Sequence, residues 1–291
     1  MKMLIFTDLD GSLLNHGDYS FAEAGPALAR IRQAGIPLIM TTSKTRSEVE
    51  SLQAEMGLRE PFIVENGGGV FFPAGYRGFD ISGGRPRSGY TLVRLGTPYD
   101  RVRRSFGRIR SRLQVGIRGF GDMSAEEIRS ATGLSPERVE MARAREFTEP
   151  FLLSSDADLA SVKAMAAALG LKVTGGGRFH HLIGARQDKG AAVRRVRNVF
   201  HRNTGESWLT VGVGDSENDL PMLKEVSIPV LIPSPVRKDL AIRRTGLLRA
   251  DEPGCRGWNR MIEKILDEYR PDDPPPSMHK RKRCPGSSCN G

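Results

Sequence analysis

The chain has 291 residues, of which 38% are hydrophobic and 27% charged, and its formal net charge is +10. This composition is typical of a globular protein of about two domains. No apolar run approaches the roughly 20 residues that span a bilayer, and the N-terminus lacks a secretory signal, so we expect a cytoplasmic protein without a membrane partner. Three cysteines without metal-ligand spacing argue against a disulfide framework or a zinc site.

The first third of the chain alternates strand and helix patterns. Short apolar runs at 3–7, 37–40 and 62–64 predict strands, and the segments 22–33 and 45–56 predict the helices between them. Short apolar strands separated by amphipathic helices indicate a parallel sheet with helical crossovers. Ligands of such sheets lie beyond the carboxyl ends of the strands, so the polar residues at those ends are the candidates for function.

The pattern changes near residue 70. Residues 70–72 and 79–81 predict a hairpin, and the segment that follows has the mixed strands and helices of an inserted α+β domain. The first pattern resumes with a helix at 189–200, and further strands and a closing helix at 258–269 follow. We therefore predict an α/β protein with a doubly wound, mostly parallel sheet. Its parts are a discontinuous core of residues 1–82 and 186–270, a cap domain of residues 83–185, and a disordered, basic, proline-rich tail of residues 271–291.

Two carboxylates, Asp8 and Asp10, follow the first predicted strand directly. Alternation places them on the same side of an extended chain, and Gly11 then lets the backbone turn. Two carboxylates held together repel each other at neutral pH, and a cation relieves that repulsion. Oxygen ligands with room for phosphate and water suit Mg²⁺. Taken alone, however, the pattern equally fits a solvated pair of acids at a strand end.

Three further elements follow other predicted strands or open predicted helices. Asp215 and Asp219 lie in a glycine-bordered turn, where Asp219 can bind the water ligands of a metal or orient Asp215. Thr42 and Ser43 offer a hydroxyl and backbone N–H groups at a helix N-terminus, which form an anion site. Lys189 begins a helix and provides a cation for a phosphoryl group. Each of these alone is commonly a helix cap or a surface charge, but four in order at one sheet edge indicate a site.

These residue types are what phosphoryl transfer requires. The charge on the equatorial oxygens must be met by metal and cations. A carboxylate such as Asp8 can attack phosphorus and form an aspartyl-phosphate, while Asp10 protonates the leaving alkoxide and later activates water. The sequence therefore predicts a magnesium-dependent phosphatase.

This set of motifs resembles the haloacid dehalogenase-like phosphatases. A closer resemblance, to the mannosyl-3-phosphoglycerate phosphatases within that group, involves residues 42–46, 62–69, 119–124, 145–151 and 178–182. It implies hydrolysis of mannosyl-3-phosphoglycerate to mannosylglycerate, a compatible solute. It also implies that Asp8 is the nucleophile, Asp10 the acid/base and Lys189 the phosphate clamp, with Mg²⁺ held by Asp8, the Asp10 carbonyl and Asp215. The hydroxyl role falls to Thr42 or Ser43.

The substrate of such an enzyme carries a phosphate, a carboxylate and sugar hydroxyls. Arg145 or Arg178 can grip the carboxylate in a bidentate manner. Hydrogen bonds with sugar hydroxyls can be made by Glu146, Glu149, Asp122 and Gln187. For individual cap residues a structural role, such as an ion pair of Arg145 with Glu146, is an equal alternative, and for His181 a structural role is the commoner outcome. The full set of predicted substrate-binding residues is Lys44, Glu65, Asn66, Gly67, Arg145, Glu149, Arg178, His181, Gln187 and Asn218.

The alternatives concern the substrate and the basic segments. A related phosphatase acting on glucosyl-3-phosphoglycerate or sucrose phosphate is the nearest, and a sensor without turnover is another. Residues 85–118, the arginine-rich stretch, contain ten arginines and a single acid, and together with the basic tail they suggest a nucleic-acid-binding protein. Apolar residues at helical spacing within this stretch favour a solvated helix face instead. The sequence leaves the oligomeric state open.

Overall fold

The computed structural model describes residues 2–175, 179–234 and 244–269. Arg178 and the predicted tail 271–291 lie outside these residues, and so does the region between residues 234 and 244. Every helix in the described part of the chain is too short or too polar to cross a membrane.

The N-terminal segment passes from a parallel to an antiparallel sheet. Its elements are β1 (Met3–Thr7), α1 (Gly25–Gln33), β2 (Leu38–Met40), α2 (Arg46–Glu55), β3 (Phe62–Val64), β4 (Gly69–Pro73), β5 (Arg85–Arg87) and β6 (Tyr90–Arg94). Strand β4 pairs with β3 and β6, so the predicted hairpin between 70–72 and 79–81 is wrong. Residues 79–81 are irregular. The apolar residue Phe79 packs its ring against Tyr76 and Phe200 and is not part of a strand.

The inserted segment builds a second antiparallel sheet with its own helices. Its elements are α3 (Tyr99–Leu113), β7 (Ile117–Gly119), α4 (Ala125–Thr132), α5 (Pro136–Arg143), β8 (Glu149–Leu153), α6 (Leu159–Ala168), β9 (Leu171–Gly175) and β10 (His180–Gly184). The strands are ordered β7-β8-β10-β9, and a separate apolar core that includes Phe106, Phe151 and Leu182 lies between this sheet and helices α3 and α6. Strands β5 and β6 fall within the predicted cap of residues 83–185, yet they pair with the sheet of β3 and β4. We propose that the cap begins after Arg94.

Helix α3 explains most of the arginine-rich stretch. Val102, Phe106 and Ile109 are buried against the cap core, as their spacing predicts. Most of the exposed positions of the helix carry arginine, namely Arg101, Arg104, Arg108, Arg110 and Arg112. The interpretation as a solvated helix face is therefore confirmed for the exposed side of α3.

The chain then returns to the first sheet. Its last elements are α7 (Lys189–Thr204), β11 (Leu209–Gly214), α8 (Leu220–Glu225), β12 (Ile228–Leu231), β13 (Leu248–Arg249) and α9 (Gly254–Glu268). The five parallel strands are ordered β13-β12-β11-β1-β2. On β1, Met3 and Ile5 pack on the side of α1 and α9, whereas Leu4 and Phe6 pack on the side of α7 and α8. Both faces of the sheet are thus covered, which confirms the predicted doubly wound α/β core.

Candidate active site

Three buried carboxylates meet at the carboxyl edge of the central strands. Asp8 directly follows β1, Asp215 directly follows the neighbouring strand β11, and Asp219 lies one turn further on. One carboxylate oxygen from each lies within 4.8 Å of the others. Because parallel strands bring their carboxyl ends to one edge, residues more than 200 positions apart are brought into one cluster. This cluster of buried acidic residues has the ligand atoms to hold a metal ion.

Lys189 lies against this cluster and is itself fully buried. Its Nζ atom is 2.6 Å from Asp8 Oδ1 and 2.6 Å from Asp219 Oδ1. Helix α7 begins at Lys189 because the Asp188 side chain caps it, accepting the Ala191 N–H at 2.7 Å. Burial alone would lower the pKa of the lysine, but Asp219 and Asp8 outweigh it and raise that pKa. Lys189 is therefore held as an ammonium against the carboxylates of Asp8 and Asp219.

The cluster carries more negative than positive charge. Burial raises the pKa of Asp8 well above its ordinary value, repulsion from Asp219 and Asp215 adds to this, and Lys189 opposes it. A divalent cation would compensate the remaining charge. Gly11, at φ +84°, keeps open the space beside Asp215, because a Cβ atom there would lie 2.6 Å from Asp215 Oδ2. Both the donor set and the local space fit a metal ion.

Asp219 uses both of its carboxylate oxygens within the site. Oδ1 accepts from Lys189, while Oδ2 accepts the N–H groups of Asp215 and Ser216 at 3.1 and 3.0 Å and the Ser216 hydroxyl at 3.1 Å. Of its two predicted roles, this geometry favours the orientation of the Asp215 turn.

Asp10 contributes no side-chain atom to the cluster. Its Oδ1 is 3.0 Å from Lys44 Nζ, and Lys44 also lies 3.6 Å from Glu48 Oε1 and 4.9 Å from the centre of the Tyr19 ring. The structure thus brings together the carboxylates of three of the four predicted ligand residues, and the fourth is engaged by a lysine. A metal contact through the Asp10 carbonyl stays a prediction.

The hydroxyl-bearing segment after β2 is fixed by backbone contacts. Thr42 is buried, and its Oγ1 accepts the Lys44 N–H at 3.1 Å. Ser43 is half-buried, and its carbonyl accepts a hydrogen bond from Arg145 Nη1 at 2.8 Å. Both hydroxyls lie on one turn at the sheet edge, so the choice of Thr42 or Ser43 as the phosphate contact stays open.

Comparisons with known proteins agree with this geometry. Residues 5–76 match the haloacid dehalogenase-like hydrolases. The glucosyl-3-phosphoglycerate/mannosyl-3-phosphoglycerate phosphatase of Persephonella marina is 51% identical over 266 residues, which cover 91% of this chain and 98% of that protein. The mannosyl-3-phosphoglycerate phosphatase of Pyrococcus horikoshii is 33% identical, over 80% of this chain and 92% of its own. This chain belongs to the haloacid dehalogenase-like phosphatases.

Solved structures share the fold of this phosphatase at low sequence identity. A haloacid dehalogenase-like hydrolase from B. subtilis has a TM-score of 0.62 at 19% identity, covering 91% of this chain and 100% of its own. The sucrose-phosphatase of Synechocystis sp. has a TM-score of 0.56 at 14% identity, covering 92% of this chain and 98% of its own. These likenesses confirm the fold, with its core and inserted cap.

Several predicted substrate-binding residues of the phosphatase surround the site. Asn66 accepts from Asn218 Nδ2 at 3.0 Å, and its own buried Nδ2 has no hydrogen-bond partner in the described part of the chain. Arg145 reaches from the cap to the Ser43 carbonyl. Gly67 has a φ of +87°, and a Cβ atom on this residue would lie 2.1 Å from the Asp188 carbonyl oxygen. Both facts require glycine at this position.

Three other predicted substrate-binding residues are occupied by protein contacts. Glu65 accepts three hydrogen bonds from residues 146–148 of the cap. Glu149 is buried among Tyr99, Arg103 and the Gly121 N–H. Gln187 donates to the Glu65 carbonyl and accepts from the Gly184 N–H. Contact of these side chains with substrate stays a prediction, whereas their structural contacts are direct observations.

Sequence reasoning missed one contact that fixes the backbone of Asp8. The Thr7 hydroxyl donates to the Asp8 carbonyl at 2.7 Å and accepts from Trp258 Nε1 at 2.9 Å. Trp258, on α9, is fully buried and lies 251 positions from Thr7. No local pattern in the sequence links these two residues, so this contact was visible only in the fold.

His181 makes the unfolding free energy of the phosphatase depend on pH. Burial, followed by Arg145, His180 and Lys189, lowers the pKa of this histidine from 6.5 to about 3, and its Nδ1 has no hydrogen-bond partner among the described residues. The unfolded chain therefore takes up the proton first on acidification. The contribution to stability is complete above pH 6.5 and is lost as the pH falls from there toward 3, by about 2 kcal/mol between roughly pH 6.5 and 5.

Urea denaturation of the wild type and of His181→Gln at about pH 7.5 and pH 5 measures this contribution. The glutamine variant should lose about 2 kcal/mol less unfolding free energy on acidification than the wild type does. Substitution of the exposed His201 by glutamine is the matched control. Equal losses in wild type and His181→Gln would contradict the prediction.

Proposed function

We propose that this phosphatase hydrolyses mannosyl-3-phosphoglycerate to mannosylglycerate and phosphate with Mg²⁺ as its metal ion, and that it also accepts glucosyl-3-phosphoglycerate. The observation that carries the chemistry is the meeting of three buried carboxylates with the buried Lys189 at one sheet edge. The substrate proposal is supported by the relatives. The proteins of Persephonella marina and Methanococcoides burtonii, 51% and 40% identical to this chain, carry both substrates in their names.

Asp8 and Asp215 are the side chains proposed to hold Mg²⁺, together with the Asp10 carbonyl, while Asp219 fixes the turn that carries Asp215. Carboxylate oxygens are the ligands that Mg²⁺ prefers, and two or three of them leave positions for water and phosphate. When bound there, Mg²⁺ would neutralise charge on the phosphoryl oxygens.

The side chains of the chain then divide the reaction into two steps. A carboxylate oxygen of Asp8 attacks phosphorus, the bond from phosphorus to the substrate oxygen breaks, and Asp10 gives its proton to that leaving oxygen. Asp10 next removes a proton from water, the water oxygen attacks the phosphorus, and phosphate leaves with Asp8 restored. Lys189 stays an ammonium throughout and stabilises the charge of the equatorial oxygens.

Mannose and glucose differ in the orientation of one hydroxyl, and a pocket that accepts both must leave that hydroxyl without a strict partner. Sucrose phosphate is the weaker alternative, since the likeness to sucrose-phosphatase is at 14% identity. Nucleic-acid binding is weaker still, because the exposed arginines of α3 have the spacing of an ordinary solvated helix face and Arg103 is bound to Glu149 and Asp122. Cytoplasmic location and a role in compatible-solute synthesis stay predictions.

A phosphate-release assay tests the proposal. Purified enzyme is incubated with mannosyl-3-phosphoglycerate, glucosyl-3-phosphoglycerate, sucrose phosphate and simple hexose phosphates, each with Mg²⁺ and with EDTA. We expect release from the first two at comparable kcat/KM, and its loss in EDTA. Enzyme that hydrolyses hexose phosphates and leaves both glycosyl phosphoglycerates intact would refute the substrate, and full activity in EDTA would refute the metal.

A further inference from the structure

Glu65 is a fully buried carboxylate at the boundary between core and cap. It follows β3 and begins a tight turn, in which Glu65, Asn66 and Gly67 have φ values of +51°, +57° and +87°. Its Oε1 accepts the Glu146 N–H at 2.8 Å, and its Oε2 accepts the Phe147 N–H at 3.0 Å and the Thr148 hydroxyl at 2.8 Å. One core side chain therefore binds three consecutive residues of the cap, 81 to 83 positions away along the chain. Such charge-assisted hydrogen bonds are the strong ones.

The same turn contacts both chain segments that connect cap and core. On the way into the cap, the N–H groups of Leu95 and Gly96 donate to the Gly68 carbonyl at 3.0 and 2.8 Å. On the way out, Gln187 Nε2 donates to the Glu65 carbonyl at 2.6 Å. The two connections are packed closely, since a Cβ atom on Gly96 would lie 2.6 Å from Gln187 Oε1. Residues 65–68 thus contact the cap and both of the segments that connect it to the core.

In the other direction, the turn is bonded to the active site. The Glu65 N–H donates to the Lys44 carbonyl and the Asn66 N–H to the Thr42 carbonyl, each at 2.9 Å. The Asn66 side chain is bonded to Asn218, in the turn that carries Asp215. The side chain of Glu65 thus faces the cap, while the backbone of residues 65 and 66 holds the turn against the loops of the candidate active site.

We propose that Glu65 is a positioning residue whose hydrogen bonds to residues 146–148, here termed the cap latch, hold the cap in the position that binds substrate. The proposal rests on the proposed function, because it assumes that substrate binds between cap and core. Two backbone N–H groups and a hydroxyl face the side chain, and only a carboxylate offers acceptors on both oxygens. An amide would turn its NH₂ group toward a donor.

Kinetics of Glu65→Gln separate this role from a chemical one. A weakened latch lowers the fraction of enzyme in the binding-competent position, which raises the apparent dissociation constant by the inverse of that fraction. We expect KM for mannosyl-3-phosphoglycerate to rise by about tenfold or more, with kcat within about threefold of wild type. Thr148→Val, which removes one latch bond from the cap side, should raise KM by about threefold. Glu60→Gln, at a carboxylate bonded to Tyr76 within the core, is the matched control with unchanged KM.

Hydrogen exchange followed by mass spectrometry tests the latch without any turnover. Peptides that contain the Glu146 and Phe147 amides should exchange at least about tenfold faster in Glu65→Gln than in wild type, and exchange in β1 and β11 should stay as it is. A kcat that falls as much as kcat/KM, or wild-type KM together with wild-type exchange, would overturn the proposal.

If Glu65→Gln does not fold, the proposal is tested on Thr148→Val, with the same measurements of KM and of hydrogen exchange. Wild-type enzyme that hydrolyses none of the glycosyl phosphoglycerates would remove the proposed function, while the exchange result would still show whether the latch exists.

Discussion

Asp8→Asn should reduce kcat for phosphate release by at least about 10⁴-fold, because an amide nitrogen does not attack phosphorus and no aspartyl-phosphate can form. The substitution keeps the size of the side chain and its place after β1. The Lys189 ammonium retains its second partner, Asp219, at 2.6 Å, so the pocket keeps its shape. The loss is thus expected in the chemical step rather than in folding. The measurement is phosphate release under saturating substrate with Mg²⁺.

Asp8→Asn should keep or raise the thermal stability of the metal-free protein although it lowers kcat. Burial, Asp219 and Asp215 raise the pKa of Asp8 above its ordinary value, so the folded state binds the proton more tightly than the unfolded state does. Stability from this group is therefore lost as the pH rises from the unfolded pKa through the folded one, and at neutral pH the charged form is a cost. Asparagine removes that charge. In EDTA its Tm should equal or exceed that of wild type.

Asp156→Asn, an exposed carboxylate of the cap, is the control for the loss of one negative charge. It should retain wild-type kcat and Tm. An Asp8→Asn enzyme with kcat within tenfold of wild type would show that another group is the nucleophile.

The site could be predicted from sequence because it follows from the geometry of a parallel sheet. Asp8 and Asp215 each follow an apolar strand, and Lys189 begins a helix, so local patterns were enough to place them at one edge. The sequence predicted Lys189 as a cation for the phosphoryl group, whereas its ion pairs with Asp8 and Asp219 are seen only in the structure. Asp10 was harder, because its position two residues after Asp8 predicts proximity but not its pairing with Lys44.

The cap was less predictable for a physical reason. The residue types that bind a sugar also make buried structural networks, and only orientation distinguishes the two. Glu65 and Glu149 are both acids, yet one binds cap backbone and the other binds Tyr99 and Arg103. Their partners lie from 28 to 83 positions away, beyond the reach of any local pattern. The wrong prediction of a strand at residues 79–81 also arose from a distant contact. Phe79 is an apolar residue that packs against Phe200, and in the sequence it could not be distinguished from a strand residue.

Lys189→Met should lower both activity and stability. Loss of the ammonium removes a preorganised positive charge from the phosphoryl site, for which we expect a fall in kcat of about 10²–10³-fold. It also leaves Asp8 and Asp219 buried without their common partner, and breaking a buried ion pair from one side costs about 3–5 kcal/mol. Urea denaturation in EDTA gives the stability, and phosphate release with Mg²⁺ gives the activity. Lys224→Met, at an exposed lysine near the end of α8, is the matched control.

The double variant Lys189→Met/Asp219→Asn separates the two effects. The asparagine can still accept the N–H groups of Asp215 and Ser216 through its oxygen, while its charge is gone, so the Met side chain no longer faces two unpaired carboxylates. Unfolding free energy should recover by at least about 1 kcal/mol relative to Lys189→Met, since the cost lies in the uncompensated charge rather than in the missing contact. The kcat should not recover, because no cation has been restored at the phosphoryl site. If activity returned together with stability, Lys189 would serve only to hold the carboxylates in place, and the role of its charge in catalysis would have to be abandoned.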